Sequence, residues 1–117
     1  MRIAASFEIE YLQYLGPDGT LVAALPAAAP PADEVLELFR QMLFLRTFDG
    51  KAVALQRTGK LGTYAPCLGH EATQIGIGAR MRPEDVLAPS YREYGAQIMR
   101  GVQLREILLY WGGDERG

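Results

Sequence analysis

Residues 33–57 constrain the fold more than any other stretch. Val35, Leu36, Leu38, Phe39, Met42, Leu43, Leu45 and Phe48 recur at spacings of three and four, and the pattern continues through Ala52 and Leu55. That period predicts one long helix. Asp33, or the residue before it, is placed to cap the start, and Asp33 and Glu34 suit the positive end of the helix dipole. At the other end Arg57 and Lys60 suit the negative end, and Gly59 is a natural left-handed stop. The apolar stripe is wide, which predicts a helix buried on more than one side.

The chain before this helix is of a different kind. Residues 23–32 carry Pro26, Pro30 and Pro31 among alanines, which predicts an extended linker. Within residues 1–22, Phe7, Ile9 and Tyr11 alternate with Glu8, Glu10 and Leu12. The turn sequence Gly16-Pro17-Asp18-Gly19 and then Thr20-Leu21-Val22 follow. This predicts an N-terminal arm or short β-hairpin.

After the long helix come three shorter ones. A second is expected from Gly69, with Glu71 in its first turn. Ala72, Gly76 and Ala79 then form a face open to close packing. Val86-Leu87-Ala88 suits a strand stub stopped by Pro89. A third helix is expected over residues 91–100, ended by Gly101, and a fourth over 103–111, ended by Gly112-Gly113. Residues 33–117 therefore read as one mainly α unit.

Composition removes several classes of function. The net charge of −2 in 117 residues gives no bulk attraction to nucleic acid or to an anionic membrane. No apolar run approaches the roughly 18 residues of a membrane span. Acidic residues interrupt the N-terminus where a signal peptide needs apolar ones. One cysteine, Cys67, and one histidine, His70, leave no disulfide and too few ligands for a structural zinc site. These features point to a soluble cytoplasmic protein.

The candidate chemistry lies between Gly59 and Arg92. His70 could act as a base, but it has no partner near it in sequence, and a capping or surface role outweighs catalysis. Cys67 could be a nucleophile at a helix start, but a buried structural thiol is the better reading. Gly76-Ile77-Gly78 lacks the third glycine and the preceding strand of a dinucleotide fingerprint. Gly59-Lys60-Leu61-Gly62 is not a phosphate-binding P-loop. Ser90-Tyr91-Arg92-Glu93, at a loop-to-helix junction after Pro89, offers a hydroxyl, a phenol, a guanidinium and the free amides of a helix start. That combination suits a phosphate. An ordinary solvated helix start with an Arg–Glu pair explains the same residues.

The order of motifs decides between these readings. Arg40-Gln41-Met42-Leu43, Leu45-Arg46-Thr47-Phe48-Asp49, Leu55-Gln56-Arg57-Thr58-Gly59 and Tyr64-Ala65-Pro66 are followed by Gly69-His70-Glu71-Ala72, Pro89-Ser90-Tyr91-Arg92-Glu93 and Arg100-Gly101. In this order they resemble the N-terminal part of the alpha subunit of thiamine-diphosphate-dependent 2-oxo acid dehydrogenases, the decarboxylating components of the pyruvate and branched-chain complexes. The Gly16–Gly19 arm resembles the N-terminal extension of some bacterial members.

The resemblance implies an oxidoreductase that decarboxylates pyruvate or a branched-chain 2-oxo acid and passes the product to lipoyl groups. It implies an alpha–beta heterotetramer, with a beta subunit and a lipoyl-bearing acyltransferase as partners. Tyr91 and Arg92 match a pair that contacts the cofactor diphosphate, and Ser90 matches a residue beside the cofactor. Tyr64 begins a loop on the substrate side. Ala65 and His70 depart from residues common in the family. The magnesium-binding segment and the histidine-bearing active-site loop of the family find no counterpart here. The expectation is therefore a segment inactive alone, the helical N-terminal portion of an α/β thiamine-diphosphate-binding fold over residues 33–117. The alternative is a non-catalytic helical interaction module derived from that family.

Overall fold

Helix α1 spans Ala32–Arg57, 26 residues without interruption, or about 39 Å at 1.5 Å per residue. It belongs to a computed structural model that describes residues 2–117. The chain divides into two units, one ending at Pro30 and the other running Pro31–Gly117.

In the second unit α1 is followed by α2 (Glu71–Arg80), α3 (Tyr94–Met99) and α4 (Leu104–Gly112). No side chain caps α1. Pro31 occupies the cap position, its carbonyl takes the Val35 N–H at 3.0 Å, and Asp33 and Glu34 act only through the dipole. The far end follows the sequence reading. Gly59 sits at φ +71, the Lys60 N–H reaches the Leu55 carbonyl at 2.9 Å, and the Gly59 N–H reaches that of Gln56 at 3.0 Å. This paired, left-handed stop recurs at Gly101 and Gly113 after α3 and α4.

The buried residues of α1 are Leu45, Phe48, Asp49 and Ala52, spaced i, i+3, i+4, i+7 on one face. That face packs on α2 and α3. Together with Leu61, Tyr64, Cys67, Ile75, Tyr94 and Ile107 its apolar members form the core. The expectation of burial on more than one side is not met within this unit. Val35, Leu36, Phe39, Leu43 and Phe44 each remain about half exposed, because none of α2 to α4 covers that stripe.

Helix α2 begins at Glu71, two residues later than expected, because Gly69 is at φ +89. Its inward face is Glu71, Gln74, Ile75 and Gly78, again i, i+3, i+4, i+7. The close approach falls at Gly78, not on the Ala72–Gly76–Ala79 face. A Cβ on Gly78 would lie 2.5 Å from Met99 Cβ and 3.2 Å from Ala96 Cα, whereas one on Gly76 meets nothing within 4 Å.

No strand forms over residues 86–88. That loop is closed instead by Arg100, whose guanidinium donates to the carbonyls of Arg82 (2.7 Å), Pro83 (2.9 Å) and Asp85 (2.9 Å).

In the first unit the expected hairpin is absent. One antiparallel bridge joins Leu15 to Leu21 around the predicted turn. There the Gly16 N–H reaches the Thr20 carbonyl at 2.8 Å, and Asp18 accepts the Thr20 hydroxyl at 2.7 Å. Phe7, Ile9 and Tyr11 are exposed and belong to no strand. The returning segment after the turn is too short to pair with them, and a two-stranded ribbon is marginal by itself. Among the described residues no helix is long and apolar enough to cross a membrane.

Candidate functional site

Two loops, residues 58–70 and 81–93, meet above the inward faces of α1 and α2. Their backbones are held by side chains rather than by helix or sheet ladders. Asp49, only 4% exposed, accepts the Tyr64 hydroxyl at 2.9 Å and the Cys67 N–H at 2.9 Å. Glu71 accepts the Gly69 N–H at 2.9 Å with one oxygen and the Arg46 Nε–H at 2.8 Å with the other. The Arg46 hydrogen bond holds the Glu71 carboxyl below the usual carboxylate range against the opposing effect of burial.

Beneath the loops the aromatic rings interlock. Tyr64 stacks on Tyr94 with centroids 5.4 Å apart, and Phe48 and Trp111 meet Tyr94 edge-on. The Tyr94 hydroxyl donates to the Ala65 carbonyl at 3.0 Å, which ties the start of α3 to the first loop.

The junction from Ser90 to Gly95 is built around two side chains. One oxygen of Glu93 accepts the N–H groups of Ser90 (2.8 Å), Tyr91 (3.0 Å) and Arg92 (3.2 Å). Helix α3 therefore starts at Tyr94 rather than at Tyr91. The amides expected to be free for an anion are already taken by this carboxylate. Gln74, reaching from α2, donates to the Arg92 carbonyl at 2.9 Å and accepts the Gly95 N–H at 2.8 Å.

The side chains of this junction remain available. Ser90 is exposed and Tyr91 is 53% exposed. The Arg92 guanidinium lies 5.4 Å from the Tyr91 ring centroid, and the one hydrogen bond it donates is a long one of 3.5 Å to the Pro66 carbonyl. Among the described residues Arg92 makes no ion pair. A hollow of about 330 Å³ opens beside Ser90 and Tyr91, with Tyr94 and Trp111 in its walls. A guanidinium without a carboxylate, flanked by a phenol and a hydroxyl, is a donor set for a phosphate-like anion.

The other sequence candidates fall outside this chemistry. His70 is exposed at the cap position of α2 and makes no side-chain cap bond. Cys67 is fully buried, and burial, with Asp49 beside it, pushes its thiol up to about 12. At pH 8 we expect alkylation of Cys67 in the folded chain to be slower than for an unperturbed thiol by a factor on the order of a thousand. Unfolding in urea should restore it. A native rate equal to that of a free cysteine would contradict the buried placement. The Tyr64 ring is in the core and its hydroxyl is committed to Asp49, so it shapes its loop from beneath. Burial and Asp49 also push that phenol well above its ordinary range.

Sequence reasoning missed Asp49, Gln74 and Glu93 as positioning groups. A signal was present for Asp49 alone, which falls between Phe48 and Ala52 on the apolar stripe of its helix, where a polar residue needs partners.

The dehydrogenase E1 component family matches residues 39–117. The chain is 42% identical over 87 residues to the pyruvate dehydrogenase E1 component subunit alpha of Acholeplasma laidlawii, a match covering 74% of this chain and 25% of that protein. It is 38% identical over 113 residues to the 3-methyl-2-oxobutanoate dehydrogenase subunit alpha of Mycobacterium tuberculosis, with 96% and 31% covered. To the pyruvate dehydrogenase E1 component subunit alpha of Bacillus cereus it is 36% identical over 117 residues, with 98% and 30% covered. The aligned part thus spans between 25% and 31% of the length of these relatives. No solved structure matches the chain significantly.

Proposed function

The chain belongs to the dehydrogenase E1 component family, and from that premise we propose that it supplies the diphosphate-holding edge of a thiamine-diphosphate site. The observation that carries this reading is Arg92, which has no ion-pair partner among the described residues and stands beside Tyr91 and Ser90 on a backbone fixed by Glu93 and Gln74. The donor set fits a diphosphate through side chains: the guanidinium forks onto phosphate oxygens, and the phenol and hydroxyl add neutral donors. The main-chain amides do not take part, since Glu93 holds them.

Thiamine diphosphate, when bound, supplies the carbon nucleophile and electron sink for decarboxylating a 2-oxo acid. The role of this chain is to bind and orient it. Arg92 and Tyr91 hold the diphosphate end, and Ser90 lies beside the cofactor. The loop from Tyr64 lies on the substrate side, its backbone set by Asp49 from below. Magnesium and the proton-transfer groups are assigned to residues other than these. The described residues contain no cluster of three acidic, histidine or cysteine side chains suited to a metal.

In this reading residues 33–117 are the helical N-terminal portion of an α/β thiamine-diphosphate-binding fold. Residues 23–32 are a linker and residues 1–22 an arm. The complete enzyme is a cytoplasmic alpha–beta heterotetramer that oxidatively decarboxylates pyruvate or a branched-chain 2-oxo acid. It passes the product to the lipoyl groups of an acyltransferase.

The test is Arg92→Ala in the complete alpha–beta assembly, with thiamine diphosphate and magnesium titrated calorimetrically. Loss of one charge-assisted contact of about 2 kcal/mol weakens cofactor binding roughly thirtyfold. Arg92→Lys, which keeps the charge but not the fork, should fall between. Unchanged affinity in Arg92→Ala would remove the diphosphate assignment.

A further inference from the structure

We infer that Gln74 is a positioning residue for Arg92, acting across the contact between α2 and α3 to fix the direction in which the guanidinium leaves the backbone. The inference rests on the reading of Arg92 as a diphosphate contact.

The two peptide groups that flank the Arg92 α-carbon are both tied to side chains. Its N–H is held by Glu93 at 3.2 Å and its C=O by Gln74 at 2.9 Å. Glu93 is local to the loop and moves with it. Gln74 is not: it closes the first turn of α2, is 3% exposed, and uses both ends of its amide on the junction. The second end accepts the Gly95 N–H at 2.8 Å, so one side chain brackets residues 93 and 94. Gly95 makes that approach possible, because a Cβ there would lie 2.8 Å from Gln74 Cβ and 2.7 Å from Leu45 Cδ2. A buried amide that satisfies its neighbours at two points is a directional lock, whereas apolar packing alone tolerates small rotations. With the peptide planes fixed, only side-chain torsions of Arg92 remain to be ordered when an anion arrives, which lowers the cost of binding.

A double-mutant cycle in the complete alpha–beta enzyme tests this, with thiamine diphosphate affinity as the readout. Gln74→Met keeps length and apolar bulk and removes both bonds. It should weaken cofactor binding by about tenfold in the presence of Arg92 and by nothing further in the Arg92→Ala background, the non-additivity expected of residues acting through one another. Gln74→Glu keeps the acceptor for Gly95, turns the donor to the Arg92 carbonyl into a second acceptor and adds a charge whose direct effect on the cofactor is common to both arms of the cycle. It carries the same cycle if the methionine variant fails to fold. Equal weakening with and without Arg92, or no weakening at all, would overturn the positioning role. If Arg92→Ala itself leaves affinity unchanged, the diphosphate reading fails instead, so the two failures are distinct.

Discussion

Replacing Asp49 by alanine should lower the unfolding free energy of the chain by about 3 kcal/mol, among the largest effects of any single polar substitution here. The residue sits on the buried stripe of α1 and accepts from the Tyr64 hydroxyl and the Cys67 N–H, both at 2.9 Å. Both donors lie in the core. Alanine leaves them without an acceptor in a region that water does not reach, and the cost is that of desolvated, unpaired groups rather than of two ordinary hydrogen bonds. Asp49→Asn keeps an oxygen that can accept both and should cost only about 1 kcal/mol. Urea titration followed by tyrosine and tryptophan fluorescence measures the difference. Equal losses for alanine and asparagine would show that the charge, and not the acceptor geometry, is what the loop requires.

A second large effect is expected from adding one methyl group. Gly78→Ala ought to stabilise an isolated helix by about 1 kcal/mol. In this fold the new Cβ would lie 2.5 Å from Met99 Cβ and 3.2 Å from Ala96 Cα. Neither atom is the free end of a flexible side chain, so α2 and α3 must separate. Overpacking of this kind costs about 1–3 kcal/mol, and a contact as short as 2.5 Å places it at the upper end, so that after the propensity gain the net loss is up to about 2 kcal/mol. Gly76→Ala, on the same helix with nothing within 4 Å, should instead raise stability by up to about 1 kcal/mol. Thermal melts of the two variants side by side provide the test. Shifts of the same sign would mean that the helices adjust freely at Gly78.

The contrast between these glycines shows where the sequence was legible. Helix existence followed from apolar periodicity, and three of the four helix ends followed from glycines whose left-handed conformation is a backbone property. The face used by α2 was not legible. Its inward positions include a glutamate and a glutamine, which period counting assigns to solvent. Their burial is compensated by partners 18 to 25 residues away, and long-range pairing leaves no local mark. The N-terminal strands were over-read for a related reason: alternation at Phe7, Ile9 and Tyr11 describes what a strand would bury, but not whether an edge exists to receive it. At the candidate site the residue types of Ser90, Tyr91 and Arg92 were visible in advance. The occupation of their amides by Glu93 was not, because it depends on a side chain folding back on its own loop.

The loops of this unit take their shape from Asp49, Glu71, Gln74 and Glu93, not from repeating main-chain ladders. A helix keeps its course through most single substitutions, since its bonds run between backbone groups common to every residue. A loop shaped by carboxylates and one amide does not: its course is encoded in four side chains, each exchangeable by one codon. Helix course and loop course are thereby written in different groups, the one in main-chain bonds and the other in side chains. A chain that differs at one of these four positions can keep the same run of helices and still carry a differently shaped loop between them.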